Sequence, residues 1–118
     1  MSDAHFSQCV RLRQAAEFKA VFAAGKRQTD ACFTVISLPK AEGPARLGMV
    51  VSRKVSKLAV QRNRIKRQIR ESFRRQQDEL PHVELVIMAR YSAAKHDNQQ
   101  LRDSLNQHWH RLSRQLNK

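Results

Sequence analysis

Four cations recur at a spacing of four in the stretch VQRNRIKRQIRESFRR: Arg62, Lys66, Arg70 and Arg74. On an α-helix that spacing stacks them in one row, where like charges repel by roughly 0.2–0.5 kcal/mol per pair. No acid interrupts the row. Asn63 and Arg67 share an arc about 100° wide with Lys66, Arg70 and Arg74, while Ile65, Ile69 and Phe73 make a separate apolar face about 80° wide. Arg62 projects close to the apolar side at the first turn, and Arg64 and Arg75 lie beyond the cationic arc, beside Glu71. A solvated helix face ordinarily mixes signs at this spacing, so tolerated repulsion points to compensation by a polyanion. Arginine predominates, and its planar fork suits bidentate contact with phosphate. The chemistry these residues offer is the binding of nucleic-acid phosphates.

Hydrolytic chemistry of the chain's own finds little support. A metal-independent ribonuclease needs paired His/Glu or His/His groups, and a metal-dependent one needs clustered carboxylates. The basic stretch holds one acid, Glu71, and no histidine. His108 and His110 are two apart, about 200° around a helix, so they do not share a ligand. His5, His82 and His96 stand outside any motif. Cys9 and Cys32 have no metal-ligand spacing and read as reduced thiols. Neither a catalytic centre nor a metal site is expected.

The chain has 118 residues and a net charge of +13, with 41% hydrophobic residues, which fits one domain with a modest core. The charge is unevenly placed. Ten of the 23 Lys/Arg fall between Arg53 and Arg75 against one acid, so Arg53 and Lys54 join the same basic patch on a near-neutral body. No apolar run approaches the roughly 20 residues of a membrane span. The segment MSDAHFSQCVRLRQ lacks a hydrophobic signal core, and a cytosolic location is expected. Residues 1–10 read as a flexible tail.

Several elements must position the patch. RQAAEFKAVFAAG reads as a short helix with Ala15, Phe18 and Phe22 on one face, and Gly25 suits a left-handed C-terminal position. CFTVISL (32–38) and RLGMVVS (46–52) read as strands, the second antiparallel to the first, joined by a turn in PKAEGPA. KRQTDA leaves room for a further short strand. The basic helix runs to about Gln77, Pro81 blocks its continuation, and VELVIMARY (83–91) reads as a buried strand. Asp97 and Gln100 resemble a capping box opening a last helix, with Leu101, Leu105, Trp109, Leu112 and Leu116 as its apolar stripe. An α+β layer accommodates this order. A strand and a loop precede the basic helix, not a helix and a short turn, which disfavours a helix-turn-helix DNA reader. RNA read through phosphates, with single strands stacked on aromatics, fits better. Phe18, Phe22 and Phe33 are candidate stacking residues; plain core is the alternative for each.

The run RLGMVVSRKVSKLAVQRNRIKRQIRESFR resembles the signature of the protein subunit of bacterial ribonuclease P. The resemblance extends through EFKAVFAAGKR, ELPHVELVIMARY and the Trp109 helix, covering nearly the whole chain. It implies an α-β-β-β-α-β-α fold shared with a domain of a small-subunit ribosomal protein, with a left-handed β-α-β crossover through the basic helix where right-handed connections are the rule. It implies that the RNR-type motif at Arg62, Asn63 and Arg64, continued by Lys66, Arg67 and Arg70, meets the catalytic RNA subunit. Arg53, Lys54 and Arg74 complete that surface. It further implies a cleft for the single-stranded 5′ leader of precursor tRNA, lined by Phe18, Phe22, Thr34 and Ile36, with Phe33, Arg62, Asn63 and Lys66 as further candidates. Some members carry an aromatic where this chain has Ile36. In such an enzyme RNA performs the hydrolysis with Mg2+ held mainly by RNA and substrate, and the protein alone is expected to be monomeric. A structural ribosomal or RNA-chaperone protein is the alternative of another class.

Overall fold

The computed structural model describes residues 11–12 and 14–116; the expected tail at residues 1–10 and Cys9 lie outside them. In chain order the elements are α1 (Ala15–Ala24), β1 (Lys26–Thr29), β2 (Phe33–Pro39), β3 (Arg46–Val50), α2 (Ala59–Gln76), β4 (Val83–Ala89) and α3 (Asn98–Leu116), with 3-10 turns at Gln77–Glu79 and Tyr91–Lys95. The fold is α+β, as expected, and the segment KRQT does form a strand. Among the described residues no helix is long and apolar enough to cross a membrane.

The four strands form one mixed sheet in the order β1-β2-β4-β3. β2 pairs antiparallel with β1 and β4, whereas β3 pairs parallel with β4. β2 and β3 thus run in opposite directions, as the sequence suggests, but they are not neighbours: β4 lies between them. The connection from β3 through α2 to β4 is therefore a crossover between adjacent parallel strands.

Helices cover both faces of the sheet, which explains why the central strands read as nearly continuous apolar runs. Phe33, Val35, Leu85, Ile87 and Leu47 face α2 and α3, where they meet Ile65, Ile69, Phe73, Leu101, Leu105, Trp109 and Leu112. Ile36 and Val86 face the other way and pack with Val21 of α1 and Leu12. The isoleucine face of α2 is fully buried, and the indole of Trp109 donates to Ser72 Oγ at 2.6 Å, tying α3 to α2. Reciprocal bonds between Asp97 and Gln100 (Asp97 N to Gln100 Oε1, 2.9 Å; Gln100 N to Asp97 Oδ1, 2.8 Å) open α3, as the sequence signature requires.

Gly25 departs from expectation. Its backbone is extended (φ −75°, ψ 156°), not left-handed. What the position requires is close approach, since a Cβ there would lie 2.6 Å from Ile36 Cγ2 and from the Val21 carbonyl oxygen.

Candidate nucleic-acid interface

The strand register divides the α1 face of the sheet into rungs. Arg27, Ile36, Val86 and Gly48 make one rung, and Thr29, Thr34, Met88 and Val50 make the next. α1 crosses over the first rung. Phe18 sits on Gly48, where an added Cβ would come within 2.5 Å of Phe18 Cε1, and Gly25 past the other end of α1 abuts Ile36. Glu17 points toward the start of β3 and pairs with Arg46. Phe18 and Phe22 lie about 100° and about 140° further round the helix, away from Glu17, and share one apolar cluster with Val50 and Met88 of the second rung. Thr34, Met88 and Val50 are half-buried and Thr29 is exposed. The result is an open trough with these four residues as its floor and the two phenylalanines, ring centroids 6.5 Å apart, as one wall.

Two of the expected cleft residues are elsewhere. Phe33 has 0% exposure and belongs to the core under α2 and α3. Alternation along β2 puts it on the face opposite Thr34, so it does not line the trough. Ile36 does face α1, but with 0% exposure it lies beneath the helix and offers no surface for stacking. Thr29, Val50 and Met88 were missed. Knowing that Thr34 faces the trough identifies them only once the cross-strand register is known.

The basic helix divides its cations by role. Arg62 turns back and donates through Nη1 to the carbonyls of Ser56 (2.9 Å) and Lys57 (3.1 Å), holding the loop before α2. Arg64 donates to Gln61 Oε1 (3.0 Å) and to Asn98 Oδ1 (2.8 Å), joining α2 to the start of α3. Arg74 bonds Glu71 Oε1 at 2.6 Å. That bond holds the Glu71 carboxyl below its usual pKa against an opposing effect of burial, and the positive field of Arg74, Arg75 and Arg70 adds to the lowering. Among the described residues, Lys66, Arg67 and Arg70 have no side-chain hydrogen-bond or ion-pair partner, and neither do Arg53 and Lys54 in the preceding loop. Asn63 and Arg67 are exposed, and Lys66 and Arg70 half-buried along their stems.

The free part of the face is thus Asn63, Lys66, Arg67 and Arg70, narrower than the sequence row because Arg62 turns back to the loop and Arg74 is bonded to Glu71. The first turn of α2 has neither a side-chain cap nor an acid, so the positive end of its dipole adds to the loop cations. That end follows directly from β3, at the same end of the sheet as the open rung. Among the described residues no three His, Cys, Asp or Glu converge on a common point.

An open aromatic-walled trough on a sheet, beside a helix whose exposed face carries Lys66, Arg67 and Arg70 and no acid, gives an α+β protein with the surface chemistry of a polyanion binder. The family model described as Ribonuclease P matches residues 6–113. The ribonuclease P protein component of Thioalkalivibrio sulfidiphilus is 39% identical over 111 residues, covering 94% of this chain and 92% of that protein. The RNase P protein of Staphylococcus aureus superposes with a TM-score of 0.80 at 30% identity, covering 85% of this chain and 92% of that one. The RNase P protein of Thermotoga maritima gives a TM-score of 0.74 at 31% identity, covering 88% and 96%. The chain belongs to the ribonuclease P protein family.

Proposed function

We propose that this chain is the protein subunit of a ribonuclease P ribonucleoprotein, which cuts precursor tRNA to release the 5′ leader. Asn63, Lys66, Arg67 and Arg70, with Arg53 and Lys54, hold phosphates of the catalytic RNA. The trough walled by Phe18 and Phe22 takes the single-stranded leader, whose bases lie against the two rings while Thr29 and Thr34 offer hydroxyls. Arg62 and Arg64 act indirectly, by fixing the loop and the helix start. The observation that carries this reading is the run of unpartnered cations on a helix whose other face is locked into the core.

Among the described residues no three His, Cys, Asp or Glu converge to hold a metal ion. Glu71, the acid of α2, is bonded to Arg74 and lies in the field of Arg70 and Arg75. We assign the metal to RNA and substrate, and the hydrolytic step with it. The protein contributes binding and relieves repulsion between two polyanions.

Reconstitution tests the proposal. Purified protein is incubated with precursor tRNA, with and without the RNA subunit, at low monovalent salt. Cleavage at the mature 5′ end that needs both components, or that RNA alone performs only at higher salt, is the expected result. Cleavage by protein alone would make it an autonomous nuclease, and RNA binding with no effect on cleavage would make it a structural or chaperone protein.

A further inference from the structure

Three large hydrophobic side chains are exposed among the described residues: Leu58 (61%), Val60 (73%) and Tyr91 (74%). All three follow the C-terminal ends of the parallel strands β3 and β4. There Ser52, Lys54 and Val55 of one connection and Ala89, Arg90, Tyr91 and Ser92 of the other line a recess of about 390 Å3. That size lies within the roughly 300–1,000 Å3 of small-ligand sites. The crevice beyond the carboxyl ends of parallel strands is also where α/β sheets usually place ligands.

The lining has a definite chemical bias. It contains two cations and no acid, and the stretch from Val51 to Arg70 contains no acid either. Arg90 and Ser92 are held in place: Arg90 Nη1 donates to the Asp30 carbonyl at 2.8 Å, and Ser92 Oγ donates to the Ala31 carbonyl. Among the described residues, the Lys54 ammonium and the Ser52 hydroxyl have no hydrogen-bond partner. Tyr91, the one tyrosine of the chain, therefore presents an aromatic face beside an unpartnered ammonium, an unpartnered hydroxyl and a fixed guanidinium. An apolar protein segment would leave these polar groups without partners. A stacked base with its phosphate satisfies them all.

We propose that this recess binds one unpaired nucleotide of RNA, its base stacked on Tyr91 and its phosphate on Lys54. The inference rests on the RNA-binding reading above and adds a subsite distinct from the trough, since Ala89 and Val55 belong to the opposite side of the sheet, packed with the α2–α3 core. The nucleotide comes either from the leader or from the RNA subunit.

The test uses full-length wild type, Tyr91→Ala, Tyr91→Phe and Lys54→Ala. For each, affinity is measured for the RNA subunit and, in the assembled holoenzyme, for mature tRNA and precursors whose leaders lengthen one nucleotide at a time. Tyr91→Ala is expected to lose about five-fold to a hundred-fold, the range for one base stack, while Tyr91→Phe keeps wild-type affinity and both melt like wild type. Lys54→Ala should reduce the salt dependence by about one counterion. A leader nucleotide shows as a loss that appears only beyond a certain leader length. An RNA-subunit nucleotide shows as weaker assembly, with no dependence on the leader. Unchanged affinity of Tyr91→Ala for every RNA, with wild type binding all of them, overturns the inference and leaves the α2 reading standing. Equal losses in Tyr91→Ala and Tyr91→Phe overturn the stack. Failure of wild type to bind any of the RNAs overturns both readings.

Discussion

Phe18 and Phe22 keep one side against the sheet and turn the other to the trough, which is why they count as half-buried. The two roles separate experimentally. If Phe22 packs on the leader, Phe22→Ala should lose roughly 1–3 kcal/mol of precursor binding, with little change for mature tRNA. Its folding cost should fall short of the roughly 3–5 kcal/mol of a fully buried phenylalanine. Paired affinities and a denaturant melt decide the matter: equal losses on both RNAs with a large drop in stability would assign Phe22 to the core. Phe33 shows why residue type alone was insufficient. All three phenylalanines carry the same chemistry, but the alternation of β2 sends Phe33 to the far face, where it has 0% exposure.

α2 is the element in which sequence and structure agree most closely, because one period of 3.6 specifies both its faces. Ile65, Ile69 and Phe73 are fully buried, and Lys66, Arg67 and Arg70 are left without partners among the described residues. Replacing Arg67 and Arg70 by alanine should weaken binding of the RNA subunit and flatten its salt dependence by about two counterions, with the melt unchanged. An unchanged slope of log affinity against log salt would refute the role. Ile69→Ala is the converse, expected to cost about 2–5 kcal/mol of stability with no change in slope for the protein that remains folded. What periodicity could not reveal was pairing. β3 follows β2 in the chain, but the strand beside β2 is β4, because the crossover through α2 brings β4 back between them. The trough floor depends on that register, so Val50 and Met88 were illegible from sequence while Thr34 was not. The protein partners of Arg62 and Arg64 were illegible for a similar reason: they are the carbonyls of Ser56 and Lys57 in a loop, and Asn98 on another helix.

Across the whole molecule, the layers are held together at a polar cluster centred on Asp30. Its carboxylate accepts the backbone N–H groups of Cys32 and Phe33, both at 2.9 Å, and the hydroxyl of Ser104 on α3. Its backbone carbonyl receives Arg90 from beyond β4. His108, 1% exposed on α3, completes the cluster. The Gln28 amide nitrogen donates to both His108 Nδ1 (2.9 Å) and the His108 carbonyl (3.0 Å), so Nδ1 accepts and the proton sits on Nε2, 3.3 Å from Asp30 Oδ1. Burial lowers the His108 pKa below its ordinary 6.5, and attraction to Asp30 only partly opposes this. Burial also tends to raise the Asp30 pKa, but the bonds from Ser104, Phe33 and Cys32, together with His108, outweigh it and the net shift is downward. Both shifts act in the same direction. The unfolded chain binds more protons than the folded one, first at the histidine and then at the aspartate, so acid favours unfolding. Stability should fall as pH drops below 6.5 toward the depressed value of His108, and fall again below 3.8 as Asp30 takes its proton. The histidine step contributes at most about 1.4 kcal/mol per pH unit. Denaturant melts of wild type and His108→Gln between about pH 7.5 and about pH 5 isolate it. The variant starts less stable, because a single amide does not meet Gln28 at the Nδ1 position and Asp30 at the Nε2 position together, but its stability should decline less steeply with falling pH. Parallel declines in the two proteins would show that His108 does not set the acid sensitivity of the fold.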